Sequence, residues 1–239
     1  MQANLFTTGR GQQATVRLAD GSRMILGPAT TVRVVSNVMV VTGEVYFSIA
    51  PHSDQSFTVT TANAEIHVLG TTFSVRRYPE EPASRVIVGD GKVSVRALAS
   101  RHHVGDRMIA ASVVTANTRA VVSDSGVQVT PGIDGDSYTG WINGRLEFDE
   151  VPLQTVVMDL GRAYGADIRV TDSSLACQPM TLTASVRTMP LSRVLEFVSR
   201  VAGARVTRAG NAYVLVRGVA ARSSPHSDRA IQPEKQYGK

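Results

Sequence analysis

A repeat spaced by about 38 residues in the C-terminal third constrains the fold more than any other feature of this chain. Pro152-Leu153-x-x-Val156-Val157-x-x-Leu160-x-Arg162-x-x-Gly165-Ala166-x-Ile168 recurs as Pro190-Leu191-x-x-Val194-Leu195-x-x-Val198-x-Arg200-x-x-Gly203-Ala204-x-Val206. In each copy the apolar residues fall at i, i+3, i+4 and i+7, which is one face of a helix. Each copy opens with Pro at a helix N-terminus and closes with Gly at the C-cap. Strand-like segments flank both: Arg145–Phe148 and Asp167–Val170 around the first, Met180–Ala184 and Arg205–Thr207 around the second. The pattern predicts a duplicated β-α-β unit, a small interaction fold with no cofactor motif in it.

Residues 9–130 read as all-β. Short runs of Val, Thr, Ile, Phe and Tyr alternate with turn residues at the spacing of a sandwich, barrel or solenoid. Predicted strands cover Gln13–Leu18, Arg23–Leu26, Thr31–Val35 and Val38–Thr42. A break follows at Gly43, then Glu44–Ile49, Ser56–Thr60, Glu65–Leu69, Thr72–Tyr78, Arg85–Val88 and Lys92–Ala97. Asp20-Gly21 marks a tight turn, and Gly89-Asp90-Gly91 predicts a hairpin. Strands read as weaker from Met108 to Thr130. Residues 131–138 have linker composition, Trp141 is expected to anchor the second domain, and Gly210-Asn211 joins two final strands. Residues 1–8 are expected to be flexible. The Ser-, Arg- and Pro-containing stretch 218–239 reads as a disordered tail. The fold class is therefore mainly β plus α+β: a solenoid-like all-β domain over 9–130, then a small duplicated domain over 139–217.

Little in the chain points to chemistry. The net charge is +5, but the arginines are scattered singly, with none of the clustering of a nucleic-acid surface. A mild attraction to an acidic protein partner fits better. The single cysteine, Cys177, forbids an internal disulfide and any zinc site with two thiolates. Gly9-x-Gly11-x-x-Ala14 has dinucleotide-fingerprint spacing, yet β-rich sequence follows it where a helix is needed. His102-His103-x-x-Asp106 places adjacent histidines on opposite faces of any strand, so it reads as a solvated loop. Gly89-Asp90-Gly91-Lys92 lacks the spacing of a phosphate loop. Glu147, Asp149 and Glu150 read as acidic residues at a helix start, where they complement its dipole. No catalytic residue, cofactor or metal is assigned, and the chain is expected not to be an enzyme.

Several spaced motifs together resemble the FecR family of sigma-factor regulators. They are Gly11-Gln12-x-Ala14-x-Val16-x-Leu18-x-Asp20-Gly21-Ser22, Gly43-Glu44-x-Tyr46-Phe47, Phe57-x-Val59-x-Thr61, Val68-Leu69-Gly70-Thr71-x-Phe73-x-Val75 and Val86-x-Val88-x-x-Gly91-Lys92-Val93. The segment Trp141-x-x-Gly144-Arg145-Leu146-x-Phe148 and the Pro-Leu helix after it are similar to the family's C-terminal module. That module in turn resembles the short N-terminal (STN) domains of secretins and TonB-dependent transporters. The resemblance covers residues 9–217. It implies the periplasmic region of an anti-sigma factor whose cytoplasmic sigma-holding domain and inner-membrane helix lie outside this sequence. It further implies a TonB-dependent outer-membrane transporter's signalling domain as partner, an extracytoplasmic-function sigma factor reached through the cytoplasmic domain, envelope proteases, and an iron-chelate stimulus. Phe47, Phe73, Val75 and Val93 are expected in the core.

Partner binding is expected at exposed positions near the strands of the duplicated module: Arg145, Arg169, Thr181, Thr183, Arg187 and Arg208. There arginine can grip a partner carboxylate with two hydrogen bonds. Two readings from other classes stay open. One is a secretin-like envelope module that only self-assembles. The other is a carbohydrate-binding or hydrolytic β-protein, for which the sequence offers neither an aromatic platform nor a carboxylate pair.

Overall fold

The structure, a computed structural model, describes residues 3–51, 56–98, 110–134 and 138–218. The His102–His103–Asp106 group, part of the 131–138 linker and residues 219–239 lie outside the described residues.

Thirteen strands of the N-terminal domain form one continuous sheet that folds over on its longest strand, β5 (Val38–Ser48), and approaches a barrel. One layer runs in the order β1 (Asn4–Thr7), β4 (Thr31–Val35), β5, β6 (Phe57–Thr60), β7 (Ala64–Val68), β10 (Lys92–Ala97), β11 (Ser112–Thr115). The other runs β2 (Ala14–Arg17), β3 (Arg23–Leu26), β5, β8 (Thr72–Arg77), β9 (Ser84–Asp90), β12 (Thr118–Ser123), β13 (Gly126–Pro131). Strict alternation drives this arrangement. In β5, Met39, Val41, Val45 and Phe47 point inward while their neighbours face out, as a two-residue period requires. Phe47 and Phe73 stack at 5.0 Å between centroids and are fully buried; truncating either to Ala should cost about 3–5 kcal/mol. Val75 and Val93 lie in the same core.

Four expectations for the N-terminal domain differ from the structure. Gly43 does not end a strand. With φ of 117° it bends β5 from one layer into the other, and Thr30 fills the space a side chain there would need, 2.4 Å from the Cβ position. The Thr30 hydroxyl accepts the Glu44 N–H at 3.0 Å and so supports the bend. Gly89-Asp90-Gly91 is not a hairpin. β9 pairs with β8 and β12 while β10 pairs with β7 and β11, so this turn carries the chain from layer to layer. Residues 4–7, expected flexible, pair with β4. The solenoid-like stack is in fact antiparallel at every strand pair except β5–β6: the chain winds between two layers without the parallel coils of a true solenoid.

The C-terminal domain contains β14 (Arg145–Pro152), α1 (Leu153–Tyr164), β15 (Ile168–Val170), the short α2 (Ser173–Ala176), β16 (Pro179–Ser185), α3 (Leu191–Val201), β17 (Ala204–Ala209) and β18 (Ala212–Arg217). Strand-helix-strand order thus occurs twice. In a simple β-α-β unit both strands share a sheet, but here each repeat divides its strands between two. The leading strands β14 and β16 pair antiparallel as a ribbon. The trailing strands β15 and β17 flank β18, one parallel and one antiparallel. Pro152 and Pro190 sit at the N-caps, and α1 stops at Gly165, whose φ is 66°. Leu153, Val156, Val157 and Leu160 of α1 and Val194, Leu195 and Val198 of α3 enter one core with Phe148, Met180, Leu182 and Leu215. Glu147, Asp149 and Glu150 do not cap α1, contrary to expectation. They belong to β14, where a bulge after Phe148 puts Glu150 at φ 52°. Among the described residues no helix is long and apolar enough to cross a membrane.

Candidate functional site: the charged junction and the β14–β16 ribbon

Each domain has its own apolar core. What joins them is a polar junction on the outer face of the second N-terminal layer. Register places Glu44 of β5 opposite Arg76 of β8, and Arg76 opposite Arg85 of β9. Alternation turns these side chains out of the N-terminal core and toward α1. Arg76 reaches Asp159 of α1 at 2.7 Å, Glu81 at 2.6 Å and Glu44 at 3.4 Å, with 13% of its side chain exposed. Arg162, one helical turn on from Asp159, pairs with Asp159 and with Glu80. Its guanidinium lies 3.9 Å from the Tyr78 ring centroid, and that of Arg76 lies 5.0 Å away. The Tyr78 hydroxyl donates to the Pro28 carbonyl at 2.8 Å.

The end of α1 is held as well. Gly11 N–H donates to the Arg162 carbonyl at 2.7 Å. The Arg10 guanidinium donates to the Gly161 carbonyl at 3.3 Å and the Ala166 carbonyl at 2.7 Å. The negative end of the helix dipole at this terminus favours a cation. Gly9-x-Gly11, whose spacing resembles a dinucleotide fingerprint, is a domain contact instead, with Gly11 lying against Gly165. Two rings complete the junction. Tyr138 stacks on Tyr46 at 6.4 Å and covers Gly89, where an added Cβ would fall 1.8 Å from the Tyr138 hydroxyl oxygen. Trp141 is 8% exposed and its ring lies against Gly27, so it anchors both domains, not the second alone.

Burial and charge act in opposite directions on the acids here. Burial raises the Glu44 pKa above the ordinary carboxylate value, and Arg76 offsets part of this. For Asp159 burial also opposes ionisation, but Arg76 and Arg162 outweigh it and hold the carboxyl below its usual range. Tyr78 is raised, first by burial and then by the nearby Glu44 charge.

Two cavities flank the Arg76–Asp159 pair, of about 250 Å³ and about 520 Å³. The larger is walled by Arg85 and Arg119 on the N-terminal side and by Arg145, Thr181 and Thr183 on the β14–β16 ribbon. The structure thus brings together three of the six predicted partner-binding residues. Arg145 pairs with Glu147, and Thr181 accepts the Glu150 N–H at 3.1 Å. Arg187 lines the smaller cavity and donates to the Ile142 carbonyl at 3.0 Å. Arg169 and Arg208 stand apart on the other sheet. The first pairs with Asp167 at 2.5 Å; the second lies 4.6 Å from the Tyr213 ring centroid. Among the described residues no group of three or more His, Cys, Asp or Glu side chains is placed to hold a metal ion. In both β14 and β16 the edge away from the partner strand is unpaired among the described residues; such edges accept an added strand.

Two family models match the chain in order. "FecR protein" covers residues 4–94 and "FecR, C-terminal" covers residues 145–215. Two crystal structures of a candidate anti-sigma factor from Parabacteroides distasonis share the fold. Their TM-scores are 0.77 and 0.78 at 23% sequence identity, covering 90% and 91% of this chain and 100% of theirs. No curated protein matches the chain. Its N-terminal sheet and its C-terminal repeat module are each matched, over more than half of its length together, and the chain belongs to the FecR family of regulators.

Proposed function

We propose that this chain is the periplasmic, signal-receiving region of a FecR-type anti-sigma factor, and that it acts by binding proteins, not by catalysis. Family membership carries the sigma-factor connection. The finer reading is that the C-terminal, STN-like module receives the signalling domain of a TonB-dependent outer-membrane transporter loaded with an iron chelate. The message then passes through the domain junction toward a membrane segment, envelope proteases and the sigma factor. The observation that carries this reading is the junction itself. Ion pairs and cation–ring contacts dominate it, beside the Trp141 and Tyr138 rings, and the two apolar cores stay separate. Polar inter-domain contacts of this kind permit relative motion, and a competing charged surface can exchange with them. Beside the junction, the ribbon offers open strand edges and the Arg145, Thr181 and Thr183 wall, which suits strand addition or a polar docking surface.

Calorimetric titration of the chain with the N-terminal signalling domain of the transporter encoded beside it tests the reading. A saturable 1:1 complex, weakened by Thr183→Glu on the ribbon, supports it. No heat and no co-elution at high micromolar concentration would overturn it and favour the self-assembling envelope module.

A further inference from the structure

The two repeat helices are equivalent in sequence but not in surroundings. Counting along the repeat, Thr155, Asp159, Arg162 and Ala163 of α1 correspond to Arg193, Phe197, Arg200 and Val201 of α3. On α1 this face is covered. Asp159 meets Arg76, and Arg162 meets Glu80 and the Tyr78 ring. On α3 the same face is open: Phe197 is 48% exposed and Val201 45%. They lie one turn apart and so form one patch, while Val194, Leu195 and Val198 hold the opposite face in the core. With Met189, Arg193, Glu196 and Arg200, Phe197 lines a groove of about 310 Å³.

We propose that the outer face of α3 is a second docking face, built on the same plan as α1, for a separate protein whose surface offers an apolar socket rimmed by carboxylates. Charge complementarity selects that occupant. Arg193 makes no ion pair among the described residues. Arg200 holds only Glu196, at 3.0 Å, in a pair whose side chains are 76% and 57% exposed; such a pair contributes little and is easily exchanged. The covered sister helix indicates what each position takes. Arg162, the counterpart of Arg200, receives a carboxylate and an aromatic face, and arginine suits both. Phe197 replaces the charge of Asp159 with an aromatic anchor, a residue type enriched in the buried cores of protein interfaces. Two adjacent exposed apolar residues at the docking position of a duplicated helix differ from apolar residues scattered singly over a surface.

This inference rests on the signal-receiving reading, and the same complex tests both. The full chain, Phe197→Glu and Arg200→Glu are each titrated with the transporter signalling domain, with far-UV melting as the fold control. Sedimentation of the chain alone accompanies the titrations. We expect the wild-type complex to weaken at least tenfold with Phe197→Glu, to weaken several-fold with Arg200→Glu, and to lose affinity with added salt. The melting temperature should hold, since both side chains are exposed. Wild-type binding that neither variant changes would overturn the α3 face while leaving the signalling reading intact. An absence of wild-type binding would overturn both. A dimer of the chain alone that Phe197→Glu dissociates would identify a second copy as the occupant and overturn the proposal.

Discussion

Replacing Arg76 with Met tests how the two domains hold together. The Arg76 guanidinium lies within 3.4 Å of Glu44, Glu81 and Asp159 and is largely shielded from water. At an effective dielectric constant of ~20, unit charges about 4 Å apart attract by about 4 kcal/mol, and desolvation of the ions offsets much of that. Removing the cation alone does more than delete one attraction, because it leaves three carboxylates facing one another. Arg76→Met should therefore destabilise the junction by about 3–5 kcal/mol, the usual cost of orphaning a buried ion. Asp159→Asn should cost less, about 1.5–3 kcal/mol for a charged hydrogen bond lost. In that variant Arg76 keeps Glu44 and Glu81, and Arg162 keeps Glu80. The double variant relieves part of the repulsion left by Arg76→Met, so it should fall short of the sum by about 1–3 kcal/mol. Trp141 is the reporter. It is the only tryptophan, it is 8% exposed, and it sits between the domains. Urea titrations followed by its emission should show the junction transition moving to lower urea in Arg76→Met, with a red shift on exposure. Effects of the two substitutions that add to within about 0.5 kcal/mol, or an unmoved Trp141 transition, would refute the ionic clasp.

Other substitutions probe its surroundings. Gly89→Leu must displace the Tyr138 ring and should cost about 1–3 kcal/mol by overpacking, read as a lower melting temperature. Arg10→Ala removes the cation at the end of α1 and should cost about 0.5–2 kcal/mol, seen as faster amide exchange in the last turn of that helix. Glu44 has a raised pKa in the folded state, so its charged form opposes folding, and that penalty grows as pH rises from the unfolded value through the folded one. Glu44→Gln should thus raise the melting temperature at pH 7, with the gain vanishing below about pH 4. Asp159 has the opposite sign: its pKa is depressed, so its contribution is complete above the ordinary carboxylate value and is lost only as pH falls below it. A pH profile of the Asp159→Asn difference checks this, and a loss between pH 7 and 5 would count against it.

Local signals were readable and relational ones were not. Both repeat helices, the turn at Asp20-Gly21 and the N-terminal strands between Ala14 and Ala97 follow from periodicity and turn chemistry, because each depends on neighbours in sequence. Which layer a strand joins depends on partners far away, and so Gly89-Asp90-Gly91 looked like a hairpin although its strands part company. Gly43 looked like a break because glycine ends strands and also bends them, and only the Thr30 contact decides between the two. The junction residues Arg10, Glu44, Arg76, Tyr78, Asp159 and Arg162 share no motif. The repeat did carry a trace of it. Arg162 and Arg200 are identical, whereas Asp159 faces Phe197 in the alignment of the two copies, which separates the docked helix from the open one. Of the six predicted contact residues, three meet at the cleft because they share the β14–β16 ribbon. Arg169 and Arg208 do not, because each repeat divides its strands between two sheets.

The most direct test of the relay is to follow Trp141 emission while the transporter signalling domain, in a variant without tryptophan, is titrated into the chain to saturation. If the partner works through the junction, emission shifts with the same midpoint as the calorimetric binding curve, and Arg76→Met, already loosened, shifts less. Saturable binding that leaves the Trp141 spectrum unchanged in both proteins would contradict transmission through the junction.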